Sequence, residues 1–565
     1  MPPLLASLAT ALLTSSRRVA HSSAPSSDIV EHAHYSVSDK HTQHQHPTVA
    51  LAAAYALFLV GRQNAVASHS RSGRVPTRLA VSLDLHCPSH VDARHIDGPP
   101  TVPCQPRHSS QAALPPQEHL TAASDMRASK RDVAIVTTAA IPWMTGTSVN
   151  PALRALYLAH DGHRVTLIVP WIPPEQQGDI FASGSPVFTT RQQQRDYIQN
   201  WGYNQLPATF DVLFYEGVYA PQFGSILPVG AMTDVIVSNL PTKDVCILEE
   251  PEHLTWHHSG KIWTELFNYV VGIIHTNYIE YAKKVDFFGP QKAVALLLLN
   301  MWVCRGYCHR IIKLSDAVQH FPNSVTSNVH GVRDKFMDIG IRRSGPFPRG
   351  AYFMGKVLWA KGYRDLINCM IEHYNLTKEP LAIDFYGAGP DVPEVREQVD
   401  THPALSAVAF DARVADPTSK RLQGYKVFVN ASKSDVVCTA TAEALAMGKL
   451  VVCLDHPSNE FFATFPNCTT YRTPDEFSKA VLEALEREPQ PLSDQDAYRL
   501  TWEAATERLY DAMRVPLSKS KPSKVGAALA NAHLTLSKIY PQPGKGIQKA
   551  MSRESLNTAG SVESL

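Results

Sequence analysis

From Arg131 to Met513 the chain alternates short apolar runs with longer amphipathic stretches. "VAIVTT" (Val133 to Thr138) is a continuous apolar run of strand length. The loop "AAIPWMTGTSVN" follows, and then "PALRALYLAHDG", whose apolar positions recur at helical spacing. Pro151 suits the first turn of that helix and Gly162 the position just past its end. "RVTLIVP" (Arg164 to Pro170) returns to the strand pattern, so the segment predicts a βαβ unit and a parallel sheet. Four more strand-like runs follow, "FDVLFY", "DVCILEE", "YVVGIIHTNY" and "RIIKLS". Each ends in polar residues, where an open α/β sheet gathers its site. "AVALLLLNMWVC" (Ala293 to Cys304) has the length of a buried core helix and is too short to span a bilayer.

A second α/β series begins near Gly350. "GAYFMGKVLWAKGYRDLINCMIEH" reads as strand, loop, helix, and "LAIDFYGAGPDVPEVREQV" as strand, glycine-rich turn, helix. "YKVFVNAS" and "LVVCLD" are strands flanking "SDVVCTATAEALAMGK". The expected fold class is α/β, two Rossmann-like doubly wound domains facing a cleft. The expected boundaries are 131–337 for the first domain, 338–349 for a Gly/Pro/Arg-rich linker and 350–500 for the second. A helix at 501–515, "WEAATERLYDAM", would cross back over the hinge. Residues 516–565 read as a disordered tail.

Residues 1–130 are rich in Ser, Ala, His and Pro, with no acid before Asp28. That composition fits an organelle transit peptide or a low-complexity extension. "VALAAAYALFLV" (Val49 to Val60) reads as an interfacial anchor. A formal charge of +1 over 565 residues gives no global basic field for nucleic acid. The nine cysteines form no framework of paired spacings, and Cys304, Cys308 and His309 lack a second pair to complete a metal site. The only D-x-D, Asp494 to Asp496, precedes a helix and reads as capping.

Candidate chemistry concentrates at strand ends. Asp435 and Glu443 stand eight apart around a helix start, where carboxylates ordinarily serve the caps and the dipole. Lys356 and Lys361 lie five apart in "GKVLWAKG". Gly387 and Gly389, in "YGAGP", would let backbone approach a ligand or simply form a turn. Gly146, with Thr145 and Thr147 beside it, sits on the first strand-to-helix loop. His275 ends an apolar strand, and "EEPEHLTW" supplies Glu249, Glu250, Glu252 and His253, acids that could pair for glycoside cleavage or shape an acceptor pocket.

Taken together, "LEEPEHLTWHH", "GIIHTNYIEYAK", "NVHGV", "DVVCTATAEALAMGKLVVCLDHPSNEFFATFPNC" and "WEAATER" resemble the digalactosyldiacylglycerol synthase branch of the retaining GT-B glycosyltransferases of family 4. The resemblance covers roughly Arg131 to Met513. It implies transfer of α-galactose from UDP-galactose to the galactolipid monogalactosyldiacylglycerol, at the cytosol-facing side of the plastid outer envelope membrane. It implies no metal and no other cofactor. A transferase without a metal must neutralise the departing diphosphate with protein cations and helix N-termini. The resemblance assigns that role to Lys356 and Lys361, with Lys356 standing where the family has Arg, and adds Gly146, Thr147 and the helix opening at Thr439. Asp435, where Glu is usual, would hold donor-sugar hydroxyls and Glu443 the ribose. Gly387 and Gly389 would face the uracil, and His275 would lie beside the donor sugar and orient the acceptor. "NVHGV" is implied to be hinge structure. Trp143, Met144 and Trp171 are candidates for lipid contact. Two alternatives remain: a family-4 enzyme with another nucleotide sugar or lipid acceptor, and a non-catalytic lipid-binding relative.

Overall fold

Each of the expected βαβ runs folds as a strand whose side chains are buried on both faces, as a parallel sheet covered by helices requires. The computed structural model describes residues 125–549, apart from 183, 222–223, 284–288, 413–415 and 540–541. The presumed transit and anchor segments lie outside the described residues. The first sheet holds β1 (Asp132–Val136), β2 (Arg164–Trp171), β3 (Asp211–Ala220), β4 (Ser225–Pro228), β5 (Val245–Glu249), β6 (Tyr269–Ile274), β7 (Arg310–Lys313) and β8 (Ser324–Thr326). Its order is β4-β3-β2-β1-β5-β6-β7-β8, parallel except for the antiparallel edge strand β4. The second sheet holds β9 (Arg349–Met354), β10 (Ile383–Tyr386), β11 (Phe410–Asp411), β12 (Tyr425–Asn430), β13 (Leu450–Leu454) and β14 (Cys468–Tyr471). It is wholly parallel in the order β11-β10-β9-β12-β13-β14. Both orders reverse direction beside the first strand, the arrangement that opens a crevice at the strands' carboxyl ends.

Eight helices position the site: α1 (Gly146–His160), α2 (Pro251–Thr255), α3 (Gly289–Tyr307), α4 (Asp334–Ile341), α5 (Tyr363–Thr377), α6 (Thr439–Ala446), α7 (Trp502–Met513) and α8 (Lys524–Ile539). Three expectations need correcting. The first helix starts at Gly146, so Pro151 lies inside it rather than in its first turn. Proline has no N–H to offer the carbonyl four residues back. That carbonyl, on Thr147, accepts from the Thr137 hydroxyl at the end of β1 instead. The linker is also shorter than 338–349, because α4 crosses its start. Phe336, fully buried, joins Tyr352, Phe428 and Leu445 in the second domain's core. Finally, 516–565 is not a disordered tail throughout: α8 packs on α3 through Gly526, Ala530 and His533.

Helix α7 returns to the first domain, where fully buried Trp502 stacks on Tyr157 of α1 with centroids 6.0 Å apart. "NVHGV" runs beneath this crossing. A Cβ at Gly331 would stand 2.5 Å from the Trp502 nitrogen, so only glycine fits there. Among the described residues no helix is long and apolar enough to cross a membrane. Trp171 is buried against Phe214 and unavailable to lipid, whereas Met144 is half exposed.

Candidate active site

The strand ends of the first sheet deliver two consecutive carboxylates to different networks. Glu249 closes β5, fully buried. One oxygen accepts from Arg154 Nε on α1 at 2.7 Å and the other from His275 Nε2 just past β6. Arg154 also donates to the Val329 carbonyl at 3.0 Å. Burial by itself would raise the Glu249 carboxyl. The Arg154 charge and the hydrogen bonds from His275 and Arg154 outweigh it and hold the group down to about 2. An ionised carboxylate only accepts, so His275 Nε2 donates in this bond.

The next residue, Glu250, adopts left-handed backbone at φ 66°. Such strain in a residue with a Cβ is held only by its surroundings. Here three hydroxyls hold it: Thr138 Oγ1 at 2.7 Å, Tyr278 OH at 3.0 Å and Thr276 Oγ1. Glu252, two residues on, is buried, and its Oε2 has no hydrogen-bond partner among the described groups. Burial and then the nearby Glu250 push its carboxyl well above the ordinary range, so it is a neutral acid. The "EEPEH" acids are therefore an ion-paired base, a hydroxyl acceptor and a neutral acid, not a glycosidase pair. His253 Nε2 meets the Ile226 carbonyl at 2.9 Å, and its ring stacks on Tyr278.

His275 faces a second histidine. His330, from "NVHGV", lies with its ring centroid 4.9 Å away. Burial first, and then the His275, Arg154 and Arg508 charges, hold His330 neutral. Its Nδ1 lies 3.3 Å from Asn150 Nδ2, which donates, so Nε2 bears the hydrogen and finds no protein partner among the described residues.

From the second domain, Asp435 arrives beside this cluster. Its backbone bridges Thr276, the residue after His275, and the Ser315 hydroxyl donates to the Val436 carbonyl. Lys361 pairs with the Asp435 carboxylate. His275, Lys361 and Asp435 are thus brought together. Glu443 stands apart on α6: burial pushes its carboxyl up to about 7, opposed by Arg333 and Lys335. Lys356 reaches solvent, while surrounding protein and then Lys361 hold its ammonium below the usual value. Thr439 opens α6 in an exposed position, and Gly146 opens α1 likewise, with Thr147 beside it. Gly387 and Gly389 lie where two loops of the second domain meet. A Cβ on either would stand 1.9 Å from the Gly355 carbonyl oxygen or 2.2 Å from that of Val357. They let the two loops of the second domain lie backbone to backbone.

Among the described residues no three His, Cys, Asp or Glu side chains are grouped to hold a metal. Cys304 and Cys308 are buried free thiols, and His309 Nδ1 accepts the Val270 N–H. Asp496 is a capping partner of Ser493. Arg154, His330, Arg333 and Lys335 escaped the sequence reading. His330 lay within a motif taken for hinge, and Arg154 within a helix read only for its apolar spacing and its ends.

Residues 348–487 match the family model described as glycosyl transferases group 1, a span that includes Lys356, Lys361, Asp435 and Glu443. Digalactosyldiacylglycerol synthase 2, chloroplastic, of Arabidopsis thaliana is 45% identical over 389 residues, covering 67% of this chain and 80% of that relative. The chain belongs to the digalactosyldiacylglycerol synthase family. Digalactosyldiacylglycerol synthase 1, chloroplastic, of Glycine max is 46% identical over 392 residues, 68% of this chain but 49% of the relative. The chain thus spans about half the length of the synthase 1 relatives it matches. Among solved structures, the sucrose-phosphate synthase of Thermosynechococcus elongatus aligns over 73% of this chain and all of its own at 12% identity and a TM-score of 0.43. Membership in the digalactosyldiacylglycerol synthase family agrees with the loss of the glycosidase reading.

Proposed function

We propose that this protein is a retaining galactosyltransferase that moves α-galactose from UDP-galactose to monogalactosyldiacylglycerol, forming digalactosyldiacylglycerol. The observation that carries the reading is the meeting of His275, Lys361 and Asp435 in a chain of this family. The bond between the anomeric carbon and the diphosphate oxygen breaks, and the acceptor hydroxyl oxygen forms the new bond on the same face. The departing phosphate oxygen takes the acceptor proton. Lys361, Lys356 and the N-terminus of α6 stabilise the charge that develops on the diphosphate. Asp435 accepts from donor-sugar hydroxyls, and Glu443 accepts from the ribose. His275, its Nε2 fixed by Glu249, presents Nδ1 to the acceptor side. No step needs a metal ion, because protein cations do the neutralising. The site works at a membrane surface, on the cytosolic face of the plastid outer envelope, in keeping with the chloroplastic names of the relatives.

The test is a transfer assay with the full chain, UDP-galactose and monogalactosyldiacylglycerol in mixed micelles containing EDTA. Digalactolipid with an α-linked outer sugar, lost in Glu443→Gln, is the expected result. UDP bound without any product would overturn the donor or acceptor assignment. Product that requires added divalent metal would overturn metal independence.

A further inference from the structure

The stretch from Arg514 to Lys549 is unbalanced in charge. It carries Arg514, Lys519, Lys521, Lys524, Lys538, Lys545 and Lys549 and no acid, in a protein whose overall formal charge is only +1. All seven are exposed.

The segment is strapped down at several points. Upstream of α8, the Ser520 N–H donates to the Asn268 carbonyl at 2.9 Å. Along α8, Trp302 Nε1 donates to the Leu529 carbonyl at 2.8 Å, and His533 bridges Tyr307 OH at 2.9 Å and the Trp256 carbonyl at 3.1 Å. Glycines at 306 and 526 bring α3 and α8 close: a Cβ at Gly306 would stand 3.1 Å from the Ala530 nitrogen. Beyond α8, Gln542 bonds the Gly230 backbone and Ser259. The inner face, Gly526, Ala530, His533 and Ser537, is consumed by this packing.

The outer face is not. Lys524, Ala528, Asn531, Thr535 and Lys538 form one exposed stripe at helical spacing. Leu517, Val525 and Ile539 stand among the lysines 65%, 49% and 68% exposed. Helix α3 has no acid in its own sequence either and adds exposed Arg305. A charged strap would ordinarily carry compensating carboxylates and hide its aliphatics.

We infer that the strap formed by residues 514–539 and 542–549, with α3 beneath it, is a docking surface for a bilayer containing anionic lipid. Lysines reach anionic headgroups while isolated aliphatics sit at the acyl boundary. Among its described residues the strap shows no exposed aromatic for base stacking, which disfavours single-stranded nucleic acid. It touches Trp256 and Ser259, just past α2, so a membrane against it lies on the side of the molecule that carries the "EEPEH" residues. The inference rests on the lipid-acceptor reading for its biological sense.

The experiment uses the full chain and a K524Q/K538Q/K545Q variant, sedimented with phosphatidylcholine vesicles with and without phosphatidylglycerol. Transfer is followed separately in uncharged detergent micelles. Each basic residue near an anionic surface is worth roughly fivefold in partitioning, so the triple change should cost about a hundredfold. Binding of the unchanged protein should require the anionic lipid and fall with salt, and micelle activity should not change. Retention of binding within about twofold in the variant, equal binding to neutral vesicles, or displacement from vesicles by RNA would overturn the proposal. Vesicle binding as expected with no transfer in either protein would leave the surface standing and sink the transferase reading instead.

Discussion

Replacing Glu249 with Gln removes one negative charge from a fully buried position while keeping the side chain's size. The carboxyl is held at about 2 against an ordinary 4.5. At roughly 1.4 kcal/mol for each tenfold change in proton affinity, that difference corresponds to about 3 kcal/mol in favour of the ionised folded state. The figure agrees with the roughly 3–5 kcal/mol lost when one partner of a buried ion pair is deleted, because Arg154, 1% exposed, would be left charged and unpaired. For a domain of this size the loss lowers the melting temperature by roughly 6–12 °C. Calorimetry of both proteins would follow the transition of the first domain. The sign with pH follows from the depressed value. The stability supplied by Glu249 is present above its ordinary pKa and is lost as pH falls from 4.5 toward about 2, so the two melting temperatures should converge in acid. R154M in the E249Q background should cost less than the sum of the single changes. A Gln variant within about 1 kcal/mol of the unchanged protein at neutral pH, with a parallel acid profile, would refute the account of this network.

Three further outcomes are expected. Glu443 has a raised carboxyl, so the stability of its neutral folded form is full below its ordinary 4.5 and is lost as pH rises through about 7. That loss should vanish in Glu443→Gln, and UDP should bind tighter above pH ~7 than below it only in the unchanged protein, both readable by titration calorimetry. Gly387→Ala forces a Cβ to 1.9 Å from the Gly355 oxygen at φ +130°, which should destabilise the second domain by at least ~2 kcal/mol in denaturant unfolding; an unchanged midpoint would show that the two loops separate freely. Lys361→Met leaves Asp435 without its cation and should weaken UDP-galactose binding by about tenfold or more, with a smaller effect on UDP-free stability; equal affinity would remove Lys361 from the donor site.

The two sheets were legible because a strand covered on both faces must be apolar along its length, and such runs between helical periods have few other uses. The strand ends were legible for the same reason: polar residues that close an apolar run, such as His275 and Asp435, fall at the rim of the sheet. Short edge strands were not. β4 and β11 have four and two residues, too few to show a period. The tail was misread because the face of α8 that packs on α3, Gly526, Ala530, His533 and Ser537, carries no large apolar side chain. No local pattern announces that Arg154, Glu249 and His275 form one network, since they lie on a helix and two different strand ends. Local chemistry therefore determined the layers, the approximate site and the family motifs. Only the tertiary structure decided which carboxylate is ionised, which is neutral and which histidine nitrogen is free, because burial and the charges brought in from distant segments set those states.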